Sequence, residues 1–208
     1  MIDHVTLGTY LAVLIGFVFI PGPAVVLTLT QALSSGTRVG IATGLGIAVG
    51  DLVHTAMAVF GLSAVLLGSA LLFEIVKYVG AAYLVYLGIR AILARDSGTV
   101  LQRAKPMSSA RAFRQAVLAE MLNPKSALFF LAFLPQFVQP QNGLVPLQLT
   151  LLGAIFVAVG ACSTMVYAFA AGPIGRWLAR NPAIARWQGK MVGAIYCALG
   201  VRLALQDR

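Results

Sequence analysis

An all-α membrane protein with six transmembrane helices, arranged as a 3+3 inverted repeat in which helices one and four are interrupted, is the fold class this sequence predicts. Three observations predict it. Of 208 residues 60% are hydrophobic and only 10% charged, and mean hydropathy is +0.90. Apolar stretches of the ~20 residues that cross a bilayer as helices therefore use up nearly the whole chain. Two of these stretches carry proline-bearing breaks near their middle, and the two halves of the chain resemble one another.

The first stretch spans roughly residues 7–33 and follows MIDHVTLGTY, which has no basic segment ahead of its apolar run. It is expected to stay in the mature protein rather than be cleaved as a signal peptide. Within it, FIPGPAVV (residues 19–26) places Pro21, Gly22 and Pro23 in mid-helix. Proline has no N–H to donate and presses on the carbonyl one turn earlier, so Pro21 and Pro23 should free the carbonyls of Phe17 and Phe19 while Gly22 lets the chain bend. Bare carbonyls are tolerated at membrane depth only where protein or a wet cavity satisfies them, which points this face inward.

The second stretch, roughly 40–67, spaces Gly40 from Gly44 and Gly46 from Gly50 by four residues, a pattern that lets helices approach closely. Asp51 follows at once, and His54 shares its helix face. Asp51 is a candidate for taking up and releasing a proton; His54 is expected to be packed and hydrogen-bonded. The third stretch, roughly 71–93, ends its first repeat unit (1–93) and carries Tyr83, read as a packing residue.

The fourth stretch, roughly 112–138, contains LNPKSALFF (122–130). Asparagine is a favoured helix N-cap and proline suits the first helical position, so Asn123-Pro124 reads as a helix start in mid-membrane. Its unpaired N–H groups attract a carboxylate, and Lys125 adds a full charge at the same level. A central lysine costs about 2.5–3.5 kcal/mol on insertion scales, which argues for a role. The two breaks are complementary: carbonyls for an ammonium, a helix start and Lys125 for a carboxylate, as a zwitterionic amino acid would require. Glu120, ahead of the second break, is a second proton-coupling candidate; either acid could instead be a counter-ion of Lys125.

The fifth and sixth stretches, roughly 146–171 and 188–205, complete the repeat. KYVGAAYLVYLGIR (77–90) resembles KMVGAIYCALGVR (190–202), which sets Tyr196 opposite Tyr83, and AVGDLVHTAM (48–57) lies over AVGACSTMVY, so that Gly50-Asp51 corresponds to Gly160-Ala161. Three spans per copy is an odd number, so the copies must be inverted, as in many secondary transporters whose sites lie at the junction of the copies. Cys162 and Cys197 fall within spans and are read as small core hydrophobes rather than a disulfide or metal pair.

The net charge of +9 follows location. Arg38 lies between stretches one and two; Arg95, Arg103, Lys105, Arg111 and Arg114 lie around the joint of three and four, whose basic loop is 94–111; Arg176, Arg180, Arg186 and Lys190 lie between five and six. The other connections offer Lys77 beside Glu74, and the uncharged QPQNGLVP. This asymmetry places the basic loops in the cytoplasm and both termini outside, although Arg202 and Arg208 pull the other way. No nucleic-acid partner is expected, because the basic residues do not gather on a soluble face.

PGP in the first stretch, GxxxGD in the second, GAAYLVYLGIRA in the third and LNPKSALFFLAFLPQF in the fourth give the chain a resemblance to the lysine exporter (LysE) family, and within it the homoserine/threonine resistance (RhtB) branch, over essentially its whole length. The resemblance implies a bacterial inner-membrane exporter of small amino acids such as homoserine, threonine or leucine, proton-driven export and assembly as a homodimer. By motif it carries site roles to Pro21, Gly22, Pro23, Asp51, Asn123, Pro124 and Lys125; Glu120 departs from the pattern, where a neutral polar residue is usual. The expected partners are a small amino acid, protons and the lipid bilayer, with no cofactor and no bound metal. Competing readings are a metal-cation exporter, for which Asp51, His54 and Glu120 are a poor ligand set opposed by Lys125, and an intramembrane enzyme, for which Ser126 beside Lys125 is the only hint. The repeat's second unit (112–208) completes the domain division.

Overall fold

The structure, a computed structural model, describes residues 2–62, 70–93 and 106–180 and scattered positions between 190 and 205. Among the described residues it is all-helical, with no strand. Most of the predicted sixth span, the loop positions Arg95, Arg103 and Lys105, and Arg186, Tyr196, Arg202 and Arg208 lie outside the described residues.

Helix α1 (His4–Phe19) starts on Asp3, whose Oδ1 accepts the backbone N–H groups of Val5 and Thr6, both at 2.9 Å. Those donors would otherwise be orphaned in the first turn. The Thr6 N–H, with the side-chain donors of Gln139 and Thr6, holds the Asp3 carboxyl well below the usual carboxylate range. A depressed folded-state value means that the cap's contribution is complete above the ordinary carboxylate range and is lost only as pH falls through the depressed value. We therefore expect Asp3→Ala to lower the thermal midpoint at neutral pH and Asp3→Asn, which still accepts, to lower it less. A matched melt of the three proteins checks this, and the gap between the parent and Asp3→Ala should close only in strong acid.

After α1 the chain bends by 47° and restarts as α2 (Pro23–Ser35). Gly36, at φ +90°, turns it directly into α3 (Thr37–Met57), which ends in a π-helical turn, Ala58–Leu62. Helix α4 is Ala70–Leu93. Helix α5 (Ser109–Met121) bends by 41° into α6 (Pro124–Leu128), which continues as a π turn, Phe129–Phe133, and a 3-10 turn, Leu134–Phe137. Helix α7 runs over Val145–Arg180.

Thr37–Gly61 and Val145–Pro173 are each long and apolar enough to cross a membrane, and with each bent pair taken as one span the number rises to four. The fifth span differs from expectation: α7 continues nine residues past position 171 with Pro173 inside it, so Arg176 and Arg180 lie on this helix rather than in a loop. Hydropathy marks where a helix leaves lipid, whereas its backbone hydrogen bonds carry it on into the polar region.

Helix α3 is the central element, packed against α2, α5 and α7. The glycine spacing explains how. A Cβ on Gly50 would stand 2.5 Å from the Cβ of Glu120, and one on Gly46 would stand 2.9 Å from that of Ala116, so α3 and α5 touch where side chains would forbid it. An aromatic cluster of Tyr10, Phe17, Phe129, Phe130, Phe133, Phe137 and Phe156 packs between α1, the α6 extension and α7. Tyr10 donates its hydroxyl to the Leu152 carbonyl there at 2.7 Å.

Candidate functional site

The two breaks face each other. At the first, the end of α1 leaves its last carbonyls without helical partners, since Pro21 and Pro23 supply no N–H. Four successive carbonyls are met by side chains from elsewhere. Lys125 Nζ donates to Phe17 O and to Ile20 O, both at 2.8 Å. Tyr167 donates its hydroxyl to Phe19 O at 2.9 Å, and Ser163 Oγ reaches Val18 O at 3.5 Å. The Lys125 ammonium also stands 4.5 Å from the centre of the Phe17 ring, within cation–π range.

The sequence named Phe17 and Phe19 as the freed carbonyls. Both exist as such, but neither waits empty: Phe17 shares Lys125 with Ile20, and Phe19 belongs to Tyr167. Ile20, Ser163 and Tyr167 were missed. Ser163 and Tyr167 are four apart on α7 and so share a face, a signal that was available.

At the second break Asn123 caps α6, its Oδ1 accepting Lys125 N–H at 3.0 Å, with Pro124 in the first turn. Asn123 Nδ2 donates to both oxygens of Glu120, at 3.0 and 3.1 Å, and Ser126 Oγ donates to Glu120 Oε1. Asp51, 2% exposed, lies with its carboxyl against that of Glu120, also 2% exposed. Asp51 Oδ1 has no hydrogen-bond partner among the described residues, and its Oδ2 lies 3.4 Å from where a Cβ of Gly160 would be. Helices α3 and α7 thus approach closely at Asp51. His54 is packed and hydrogen-bonded as expected: Nε2 lies 3.0 Å from Glu120 O and its ring stacks on Phe130 at 5.6 Å.

Lys125 is 7% exposed. No carboxylate pairs with it among the described residues, though Asp51 and Glu120 both lie close enough for their charge to act on it. Neither acid is its contact counter-ion. The buried ammonium is compensated by backbone dipoles, and the Glu120 carboxyl accepts from Asn123 and Ser126.

The remaining residues fall away from this centre. Tyr83 is partly exposed and pairs with Tyr86 at 5.8 Å, as a packing residue would. Cys162 corrects its reading as a core hydrophobe: it is exposed and free, because in a membrane helix the outward face is apolar too. Cys197, half-buried, is free as well. No group of three or more metal-ligating side chains occurs among the described residues.

The pattern of the family described as LysE type translocator matches residues 15–207. The chain belongs to the LysE type translocator family. It is 34% identical over 201 residues to an uncharacterized membrane protein of Vibrio cholerae, covering 97% of each chain. It is 32% identical over 184 residues to the homoserine/homoserine lactone efflux protein of Salmonella typhimurium, covering 88% of each. A Bacillus subtilis membrane protein, YrhP, is 30% identical over 209 residues, 96% of this chain and 99% of that one. No solved structure matches.

This LysE type translocator is thus a multi-pass membrane protein of a transporter family. In it, Pro21, Gly22, Asp51, Glu120, Asn123, Pro124 and Lys125 are brought to one interior region. Pro23 stands at the start of α2 with its ring exposed, where it shapes the bend rather than lining the interior.

Proposed function

We propose that the protein exports small amino acids, homoserine, threonine or leucine in kind, across the bacterial inner membrane by proton-coupled alternating access. The observation that carries this reading is the meeting of the two breaks: an ammonium held on freed carbonyls of α1, beside a buried pair of carboxyls, in a chain whose relatives include an efflux protein for homoserine and its lactone. The substrate sits between Phe17, Ile20, Pro21 and Gly22 on one side and Asn123, Pro124 and Lys125 on the other. Asp51, with Glu120 beside it, is the group through which the proton is exchanged. Their charged and titratable neighbours are His54 on α3 and Lys125 on α6. The six-span inverted repeat, with periplasmic termini and a homodimeric assembly, belongs to the same reading; the two helix–break–helix units, bent by 47° and 41°, support it.

Uptake of labelled homoserine, threonine and leucine into inside-out vesicles tests it. With an imposed proton gradient we expect uptake well above that of vesicles lacking the protein. Asp51→Asn should cut the gradient-driven rate about tenfold or more, a loss of about 1.4 kcal/mol in the driven step, yet leave exchange of labelled for unlabelled substrate. Undiminished gradient-driven uptake by Asp51→Asn would remove the coupling role, and failure to move any of the three amino acids would remove the export reading.

A further inference from the structure

Lys125 spends two of its three N–H donors on Phe17 O and Ile20 O, at 2.8 Å each, and lies 4.5 Å from the centre of the Phe17 ring. Two carbonyls converging beneath an aromatic face form a receptor for a primary ammonium: the oxygens accept its hydrogens and the ring's negative face takes its charge. The carbonyls exist in this form because the Pro21–Pro23 break leaves them without helical donors. Nothing about the receptor is specific to lysine. It would take any ammonium of that size that could reach it, and Lys125 reaches it on a flexible four-carbon stem.

We propose that the Phe17–Ile20 carbonyl cradle is the substrate's ammonium subsite, and that Lys125 fills it as a tethered stand-in when no substrate is bound. This rests on the export reading and deepens it. When a zwitterion enters, its ammonium replaces that of Lys125 on the two carbonyls, and the released Lys125 ammonium meets the incoming carboxylate. The Lys125 ammonium and the two charges of the substrate each keep a partner through the exchange. The protein with nothing bound is likewise compensated, with Lys125 on α1, and Glu120 on Asn123 and Ser126. That removes the large penalty an unpaired buried charge would carry, and it gives Lys125 two roles, occupant of one subsite and then wall of the other.

The test uses the purified full-length protein in detergent with ethylammonium chloride as probe, read as the midpoint of thermal aggregation. In the parent protein the cradle is filled, and ethylammonium should shift the midpoint no more than sodium chloride of equal strength. In Lys125→Ala the cradle is vacant, and the shift should be saturable and roughly 3–5 °C at about ten times the dissociation constant. Tetramethylammonium, which has no N–H, should not reproduce it. Lys125→Met, which keeps an apolar stem, carries the same expectation with a smaller shift. If neither variant is monodisperse on its own, ethylammonium present during extraction should restore it. Equal shifts in parent and variants, or neither a saturable shift nor restoration in the variants, overturn the proposal. If homoserine is exported while ethylammonium has no such effect, this inference alone fails; a clear ethylammonium effect without amino-acid export fails the function reading alone.

Discussion

Lys125→Met is expected to abolish gradient-driven amino-acid uptake while the protein still accumulates in the membrane. The substitution keeps the stem and removes the ammonium that bonds Phe17 O and Ile20 O. Leaving two buried carbonyls unmatched costs about 2–6 kcal/mol, while deleting a central lysine relieves about 2.5–3.5 kcal/mol of insertion cost. The two terms largely offset each other, so stability changes little and transport becomes the informative measurement. The variant also lacks the ammonium that would meet the substrate carboxylate, and a charge-assisted contact of about 1.5–3 kcal/mol corresponds to a loss of about 10- to 100-fold in rate. Lys125→Arg should not restore activity, because a larger, planar guanidinium does not substitute for a compact ammonium centred on one nitrogen. Vesicle uptake, normalised to the amount of protein, checks both; wild-type rates in Lys125→Met would remove the lysine from the transport cycle.

Gly50→Val should have the largest effect on stability. A Cβ there meets Glu120 Cβ at 2.5 Å, Glu120 Cγ at 2.9 Å and the backbone carbonyl of Val117 at 3.2 Å, so α3 and α5 must separate. Overpacking costs about 1–3 kcal/mol, and here the displaced side chain also holds Asn123, Ser126 and Asp51. The expected result is a large fall in folded protein and loss of export in what remains. Gly16→Val is the control, since a Cβ at Gly16 meets nothing within 4 Å. Equal yields and melting midpoints for the two variants would mean that the α3–α5 contact is not as close as described.

Breaks and helix starts were legible because their causes are local. Pro21, Gly22 and Pro23 remove donors and permit a bend wherever they occur in a helix, and the Asn123-Pro124 cap needs only neighbouring atoms. The glycine spacing in α3 was legible for a similar reason, since a four-residue period lies on one face whatever packs there. The second acid was harder to place. Asp51 and Glu120 read as two separate coupling candidates in the sequence, and the fold sets them side by side. Nothing local to either residue marks that contact, because Asp51 and Glu120 sit on different helices joined only through folding.

The same division holds for the centre of the molecule. By itself the sequence determined that the chain is helical and membrane-embedded, where its first and fourth spans are interrupted, and that a lysine and two acids are buried with those interruptions, because hydropathy, missing N–H groups and capping are properties of short segments. Only the tertiary structure decided what each buried charge touches. Lys125 meets carbonyls more than a hundred residues away, Tyr167 and Ser163 complete the same row, and Glu120 rests on Asn123 and Ser126. Such partners are chosen by which groups arrive within about 3 Å once helices pack, and a buried polar group takes whichever partner geometry brings to it.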